Sequence, residues 1–154
     1  NLQTKQHEIF KALIEATAFG SLMIIDQIEK HGVSIKEIIA IGGLSQSYAI
    51  MQIYADITHC EILISGSNQT CALGGVIAGS VVGGIYPDIM TAQSHLTSTK
   101  SMSYKPNRAS RIVYDCLFNL YRQLHDSFGA QSNPNPSMRG VMKELLLIRQ
   151  KERI

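Results

Sequence analysis

Apolar residues fall on nearly every side of residues 7–30 (Ile9, Phe10, Leu13, Ile14, Phe19, Leu22, Ile24, Ile25 and Ile28), which predicts a long, deeply buried helix. Thr4 is placed to cap it and His31-Gly32 to end it. The pattern then shortens to strand length in "EIIAI", residues 37–41, and stops on the pair Gly42-Gly43. A second helix is expected to start near Ser45 or Ser47 and to run through Ile50, Met51, Ile53, Tyr54 and Ile57. "EILIS", residues 61–65, reads as a second short strand closed by Gly66-Ser67-Asn68. Asn68 is expected to cap a third helix, "QTCALGGVIAGSVVGG", in which Gly75, Gly79 and Gly83 recur every four positions. Each such glycine weakens a helix by about 1 kcal/mol relative to alanine. A close neighbour on that face is therefore expected, another helix or the sheet ahead of a ligand.

Further along, Asp88 is placed to cap a short helix over 89–97, and "TSTKSMSYKPN" reads as loop. Tyr114, Leu117, Phe118, Tyr121, Leu124 and Phe128 share one face of a helix from Arg108 to Phe128 that Gly129 ends. "AQSNPNPS" reads as a linker, and 138–154 as an amphipathic helix with Val141, Met142, Leu145 and Ile148 inward and a solvated basic face. The expected division is a body over 1–129, a linker over 130–137 and a terminal helix over 138–154.

This alternation of helices and strands makes the class α/β, with parallel strands joined by right-handed crossovers. Two parallel strands do not make a stable sheet. Either further strands escape the pattern, or the chain is a piece of something larger. The length of 154 residues suits one domain and allows roughly 70% of the unfolded surface to be buried. With 17% charged residues and a net charge of +2, nothing electrostatic calls for nucleic acid as a partner. Cys60, Cys71 and Cys116 show no CxxC spacing, so neither a disulfide framework nor a zinc site is expected. Asn68-Gln69-Thr70 matches a glycosylation triplet and is read as a chance match. "NLQTKQHEIF" lacks the basic-then-apolar pattern of a secretion signal. Asn68 and Gln69 interrupt the uncharged run 62–87, leaving a glycine-rich stretch too short for a bilayer, so a buried helix is expected there. No membrane partner follows, and the expected compartment is the cytoplasm.

Chemistry concentrates at the glycine pair. A helix starting just beyond the C-terminal end of a parallel strand aims unpaired N–H groups at the crevice where ligands of open sheets bind, and glycine lets a ligand reach the backbone. "GGLSQS" matches neither GxGxxG nor GxxxxGK[ST]. Two readings stay open on these residues: a bare strand-to-helix turn, or a nucleotide or phosphate site. His7, His31, His59, His95 and His125 have no metal-ligand spacing and read as surface or capping residues. Asp56 lies nine positions past Ser47 on the same helix, about 14 Å from the turn, too far to act on a ligand there. Asp26, Asp115 and Asp126 also fall inside helices, and no catalytic residue is assigned.

"IGGLSQSYAIMQIYADITHCEILISGSNQTCALGG" resembles the adenosine-binding segment of the FGGY family of sugar kinases. In that family a strand ends in Gly-Gly, a helix carries Gln-Ile-x-Ala-Asp, and an Ala-Leu-Gly helix follows. "MQIYADIT" and Gln69 to Gly74 are similar to its L-ribulokinase branch, as are "LQTKQHEIFKALIEATAFG", "YRQLHDSFG" and "VMKELL"; the resemblance runs from about residue 2 to about 146. It implies the later part of the second of two ribonuclease-H-like lobes, as in actin and the heat-shock chaperones, with few parallel strands flanked by several helices. The catalytic Asp and most sugar contacts of the family belong to the first lobe, and the strand meander that opens the second lobe has no match here. Gly42 and Gly43 match the glycine pair that lies against the α-phosphate and ribose. Leu44 matches the adenine pocket wall, and Ser47 a position usually held by an Asn that contacts adenine.

The resemblance thus implies ATP as ligand and Mg as cofactor, without Mg ligands in this chain, and a sugar substrate bound through the absent first lobe. A complete enzyme would transfer phosphate from MgATP to a ketopentose such as L-ribulose, whereas these residues are expected to bind ATP weakly if at all and to turn nothing over. The alternative is a stand-alone nucleotide-binding or structural oligomerisation module. A sheet edge and helix faces left open are expected to contact the rest of a kinase or a second copy.

Overall fold

The computed structural model describes residues 3–129 and 141–151. In order it contains α1 (Gln6–Lys30), β1 (Glu37–Ala40), a 3-10 turn (Gly43–Gln46), α2 (Tyr48–Thr58) and β2 (Glu61–Ser65). These are followed by α3 (Thr70–Val82), α4 (Ile89–Leu96), β3 (Thr99–Tyr104), α5 (Arg108–Gly129) and α6 (Val141–Lys151). The class is α/β as expected, and the 130–137 segment read as a linker lies outside the described residues.

Among the described residues the sheet has three strands in the order β1-β2-β3. β1 and β2 are parallel, with Glu37 beside Glu61 and Ala40 beside Ile64. β3 is a correction to the sequence reading, which placed a loop there. It pairs antiparallel with β2, with Ile62 beside Tyr104 and Ser65 beside Thr99. "TKSMSY" carries no apolar alternation because only Tyr104 is buried; the strand is an outer one, and its other side chains are wholly or partly solvated. Ser103 ties it down by donating to Glu61 Oε1 at 2.6 Å.

α2 lies between the sheet and the other long helices. Ile50, Met51 and Ala55 pack with Ile62, Ile64 and Tyr104 on the sheet side, while Ile57 joins Ala18, Phe19 and Leu22 of α1 and Tyr114 and Phe118 of α5. Ile57 and Ile62 are almost wholly buried, and truncating either to alanine removes about 2–5 kcal/mol of stability. The second half of α2 also anchors the connection from β3 to α5. Asp56, itself buried, accepts from Asn107 N at 2.8 Å and from Gln52 Nε2 at 2.8 Å, and the same Gln52 nitrogen donates to Lys105 O at 2.9 Å.

Burial of α1 falls short of the expectation. Ala18, Phe19, Leu22 and Ile25 face the core, but Ile9, Phe10, Leu13 and Ile24 are exposed, because the described residues offer α1 packing partners along one side alone. Its cap position is held by Lys5 rather than Thr4, and Glu8 accepts from Lys5 N at 2.8 Å. α3 is corrected more strongly. Gln69, not Asn68, holds the cap position, Ile77 and Ser80 are the buried residues, and Val82 is 90% exposed. A Cβ built at Gly75 or Gly79 would meet nothing within 4 Å, so the neighbour expected on that face is not supplied by the described residues. The second face of the sheet is similarly open, with Ile39 exposed and its neighbour Leu63 half-buried. α4 follows the expectation, its cap Asp88 accepting from Thr91 N at 2.7 Å. No described helix is long and apolar enough to cross a membrane.

Two glycine substitutions with opposite outcomes test this packing. A Cβ at Gly66 would run into Ser98 Oγ and lie 3.0 Å from Ser98 O, so Gly66→Ala is expected to destabilise the chain by about 1–3 kcal/mol in urea unfolding. Gly79→Ala, on the open face, is expected to stabilise it by about 0.5–1 kcal/mol through helix propensity.

Candidate functional site

Because Ala40 and Ile64 are neighbours in a parallel pair, the chain leaves β1 and β2 side by side at one end of the sheet. Ligands of parallel sheets bind at that end. From β1 the chain passes through Ile41 to Gly42, whose φ of 83° and ψ of −172° belong to a region that is essentially glycine's alone. Gly43 opens the 3-10 turn. Ser45 closes it by donating both N (3.2 Å) and Oγ (2.7 Å) to Gly42 O, and Ser47 N donates to Leu44 O at 3.1 Å. A Cβ at Gly43 would touch nothing within 4 Å, so its backbone is bare on that side. α2 starts right after, at Tyr48, with Ser47 in the cap position but making no side-chain cap bond.

The exit of β2 is held by hydroxyls. Ser65 Oγ lies 3.1 Å from Thr70 Oγ1 and accepts from Ser67 N at 3.3 Å, while Ser67 Oγ accepts from Gln69 N at 3.1 Å. Gly66 N donates to Ser98 O at 2.8 Å, which fastens the loop to the residue just before β3. Between the two exits lies a crevice of about 140 Å³. Ile41, Gly42, Gly43, Ser45 and Gln46 line it from the first exit, and Ser65, Ser67 and Asn68 from the second.

Of the four residues singled out from sequence, Gly42 and Gly43 form the wall of this crevice. Leu44, 61% exposed, overlooks a neighbouring apolar hollow of about 220 Å³ that shares Ile41 and Ser45 with the crevice and is also lined by Ile38, Met51 and Tyr54. Ser47 lines neither. Sequence reading missed Gln46, Ser65, Ser67 and Asn68. A usable signal was present: the rule that places ligands at strand ends applies to the end of β2 as well as to that of β1. A larger hollow, about 700 Å³, lies instead between α1, α5 and α6, where Tyr114 and Glu15 are paired with each other.

No charged or titratable side chain lines the crevice. Groups with shifted pKa sit elsewhere and have structural causes. Burial, and then the Glu15 carboxylate that its hydroxyl meets at 2.9 Å, holds Tyr114 well above the usual phenol range. Burial pushes the Cys60 thiol up, and hydrogen bonds from Thr91 hold the Asp88 carboxyl down. The Asp88 cap is therefore present at neutral pH and lost as pH falls through its lowered pKa. Asp56 is committed to Asn107 and Gln52. His31 and His59 occupy the C-cap positions of α1 and α2; His59 adopts φ 58°, and its ring lies 2.9 Å from Asp115. Among the described residues no His, Cys, Asp and Glu group could hold a metal ion. The crevice can hold a polar ligand; its side chains offer no base.

Comparison with known proteins bears on the family and the fold. A profile of the FGGY family of carbohydrate kinases, C-terminal domain, matches residues 1–82. The ribulokinase of Shouchella clausii is 42% identical over 154 residues, covering 96% of this chain and 26% of that protein. The ribulokinase of Bacillus licheniformis is 44% identical over 150 residues, covering 94% and 26%. The chain thus spans about a quarter of the length of these relatives. Among solved structures, the ligand-bound xylulose kinase of Lactobacillus acidophilus superposes with a TM-score of 0.72 at 21% identity, covering 85% of this chain and 26% of that one. A gluconate kinase of the same organism gives 0.71 at 22% identity, covering 82% and 25%. On the profile match and the two ribulokinases together, the chain belongs to the FGGY family of carbohydrate kinases, within its C-terminal domain.

Proposed function

We propose that the chain is the adenosine-binding part of an ATP-dependent sugar kinase whose complete form phosphorylates a ketopentose such as L-ribulose. The observation that carries this reading is the Gly42-Gly43 turn: a glycine-only backbone conformation at the C-terminal end of a parallel strand, with open space where side chains would stand. The ribulokinase names of the relatives supply the substrate class.

In this role the turn lets the α-phosphate and ribose approach the backbone, since neither glycine carries a Cβ to hold them off. Leu44 offers an exposed apolar surface for the base, beside a hollow of the same character. Ser47, at the start of α2, stands next to the turn. Phosphoryl transfer needs positioning and charge stabilisation above all, and this chain contributes positioning. Magnesium, when bound, neutralises charge on the transferred phosphate. No ligand for it is assigned to these residues, and the base that takes the sugar's proton belongs to the remaining three quarters of such an enzyme. The bare second face of the sheet and the open side of α3 are where that remainder would sit.

Three measurements test the reading. Millimolar ATP is expected to shift the backbone amide resonances of Gly42 and Gly43 in the purified chain; unchanged amides would overturn it. No L-ribulose turnover is expected from these residues alone, and measurable turnover would overturn the assignment of the base to the missing part. Gly43→Val is expected to leave the melting temperature within a few degrees, since the added side chain meets open space, and to abolish the ATP-induced shifts. Gly42→Ala is expected instead to lower stability by about 1–3 kcal/mol, because alanine must adopt the φ of 83°.

A further inference from the structure

The hollow of about 700 Å³ between α1, α5 and α6 has no part in the nucleotide reading. Its size falls within the roughly 300–1,000 Å³ of pockets that take small organic molecules, which are mostly apolar with a few placed polar groups. Val113 and Leu117 of α5 and Leu145 and Ile148 of α6 give it apolar walls. The charged side chains that line it are Lys11, Glu15 and Arg149, two cations against one carboxylate. Glu15 is already compensated: its Oε1 accepts from the Tyr114 hydroxyl at 2.9 Å and lies 3.4 Å from Lys11 Nζ. Arg149 makes no ion pair among the described residues and is half-buried. The lining therefore carries one positive charge in excess, on a guanidinium partly withdrawn from water. Such a group binds a carboxylate through two parallel N–H donors.

We infer that this hollow is a site for a small organic monoanion with a bulky apolar body, an arylacetate for example, its body between the walls of α5 and α6 and its carboxylate on Arg149. The site is separate from the crevice at the strand ends and stands whether or not that crevice binds a nucleotide. A cation has less to gain there, because the carboxylate of Glu15 already has two partners. An occupant would touch both α5 and α6 and so tie the terminal helix to the body of the chain. Tyr114 and Leu117 also pack in the cluster that closes on Ile57 of α2, so the occupant adds contacts to the core and stabilises it by mass action.

The test titrates the whole 154-residue chain with naphthylacetate, naphthylmethylammonium and acetate, followed by methyl and amide NMR, for the parent, Arg149→Gln and Ala12→Phe. Ala12 is exposed and Arg149 half-buried, so both variants are expected to keep the dispersed spectrum of the parent. Naphthylacetate is expected to move the Leu117, Leu145 and Ile148 methyl signals of the parent and to raise its melting temperature. The ammonium, which lacks the anion, and acetate, which lacks the apolar body, are expected to bind at least about tenfold more weakly. Arg149→Gln is expected to weaken naphthylacetate about tenfold and to remove its advantage over the ammonium. Ala12→Phe places a ring in the hollow and is expected to weaken naphthylacetate at least as much while leaving Arg149 in place. Equal affinity of the parent for anion and cation, naphthylacetate binding indifferent to Arg149→Gln, or shifts confined to the exposed Ile9, Phe10 and Leu13 would each overturn the inference. Methyl signals unmoved by millimolar naphthylacetate would overturn it as well, and none of these results touches the nucleotide reading.

Discussion

Everything in this chain hangs on the two-sided burial of α2. Ile50, Met51 and Ala55 close against the sheet, while Ile57 closes against α1 and α5, so one helix of eleven residues belongs to both hydrophobic clusters. Interiors pack at crystal-like density, and a helix held on two faces cannot slide or rotate without opening voids on both. Its first turn is therefore fixed in space, and with it the Gly42-Gly43 turn that enters it. The geometry of the turn follows from core packing that begins seven residues further on, at Ile50.

The same helix explains a motif that sequence reading left without a role. In "QIYAD" the Gln52 and Asp56 side chains reach across to Lys105 O and Asn107 N and pin the passage from β3 into α5. An acid that looks like a base in the sequence is an anchor in the fold. β3 in turn holds Gly66 through the residue that precedes it, so the second wall of the crevice is set by a strand that contributes no residue to it.

The chain spans about a quarter of the length of its ribulokinase relatives, and several of its apolar side chains have no cover among the described residues. Ile9, Phe10 and Leu13 on α1, Ile39 and Ile41 on β1, and Val76 and Val82 on α3 all keep apolar side chains while facing solvent. The glycine series of α3 belongs to the same set: a Cβ at Gly75 or Gly79 would meet nothing within 4 Å among the described residues.

What the sequence determined by itself was local. The five-residue run of β2, the start of α5 at Arg108, the Asp88 cap and the strand-to-glycine-to-helix order at 37–48 were all legible, because periodicity, capping chemistry and glycine act within a few residues. Gly42 and Gly43 were legible for the same reason: backbone that must turn sharply and stay bare needs glycine whatever surrounds it. Tertiary structure decided the rest. β3 buries Tyr104 alone and exists because β2 offers it a row of unpaired backbone groups, a fact no window of "TKSMSY" contains. Gln46 and Asn68 lie 22 positions apart in the sequence, and only the parallel register that sets Ala40 beside Ile64 brings their loops to one crevice. Burial of α1 and α3 was misread because hydrophobicity reports what a helix was built to touch, and the fold decides whether the partner is present.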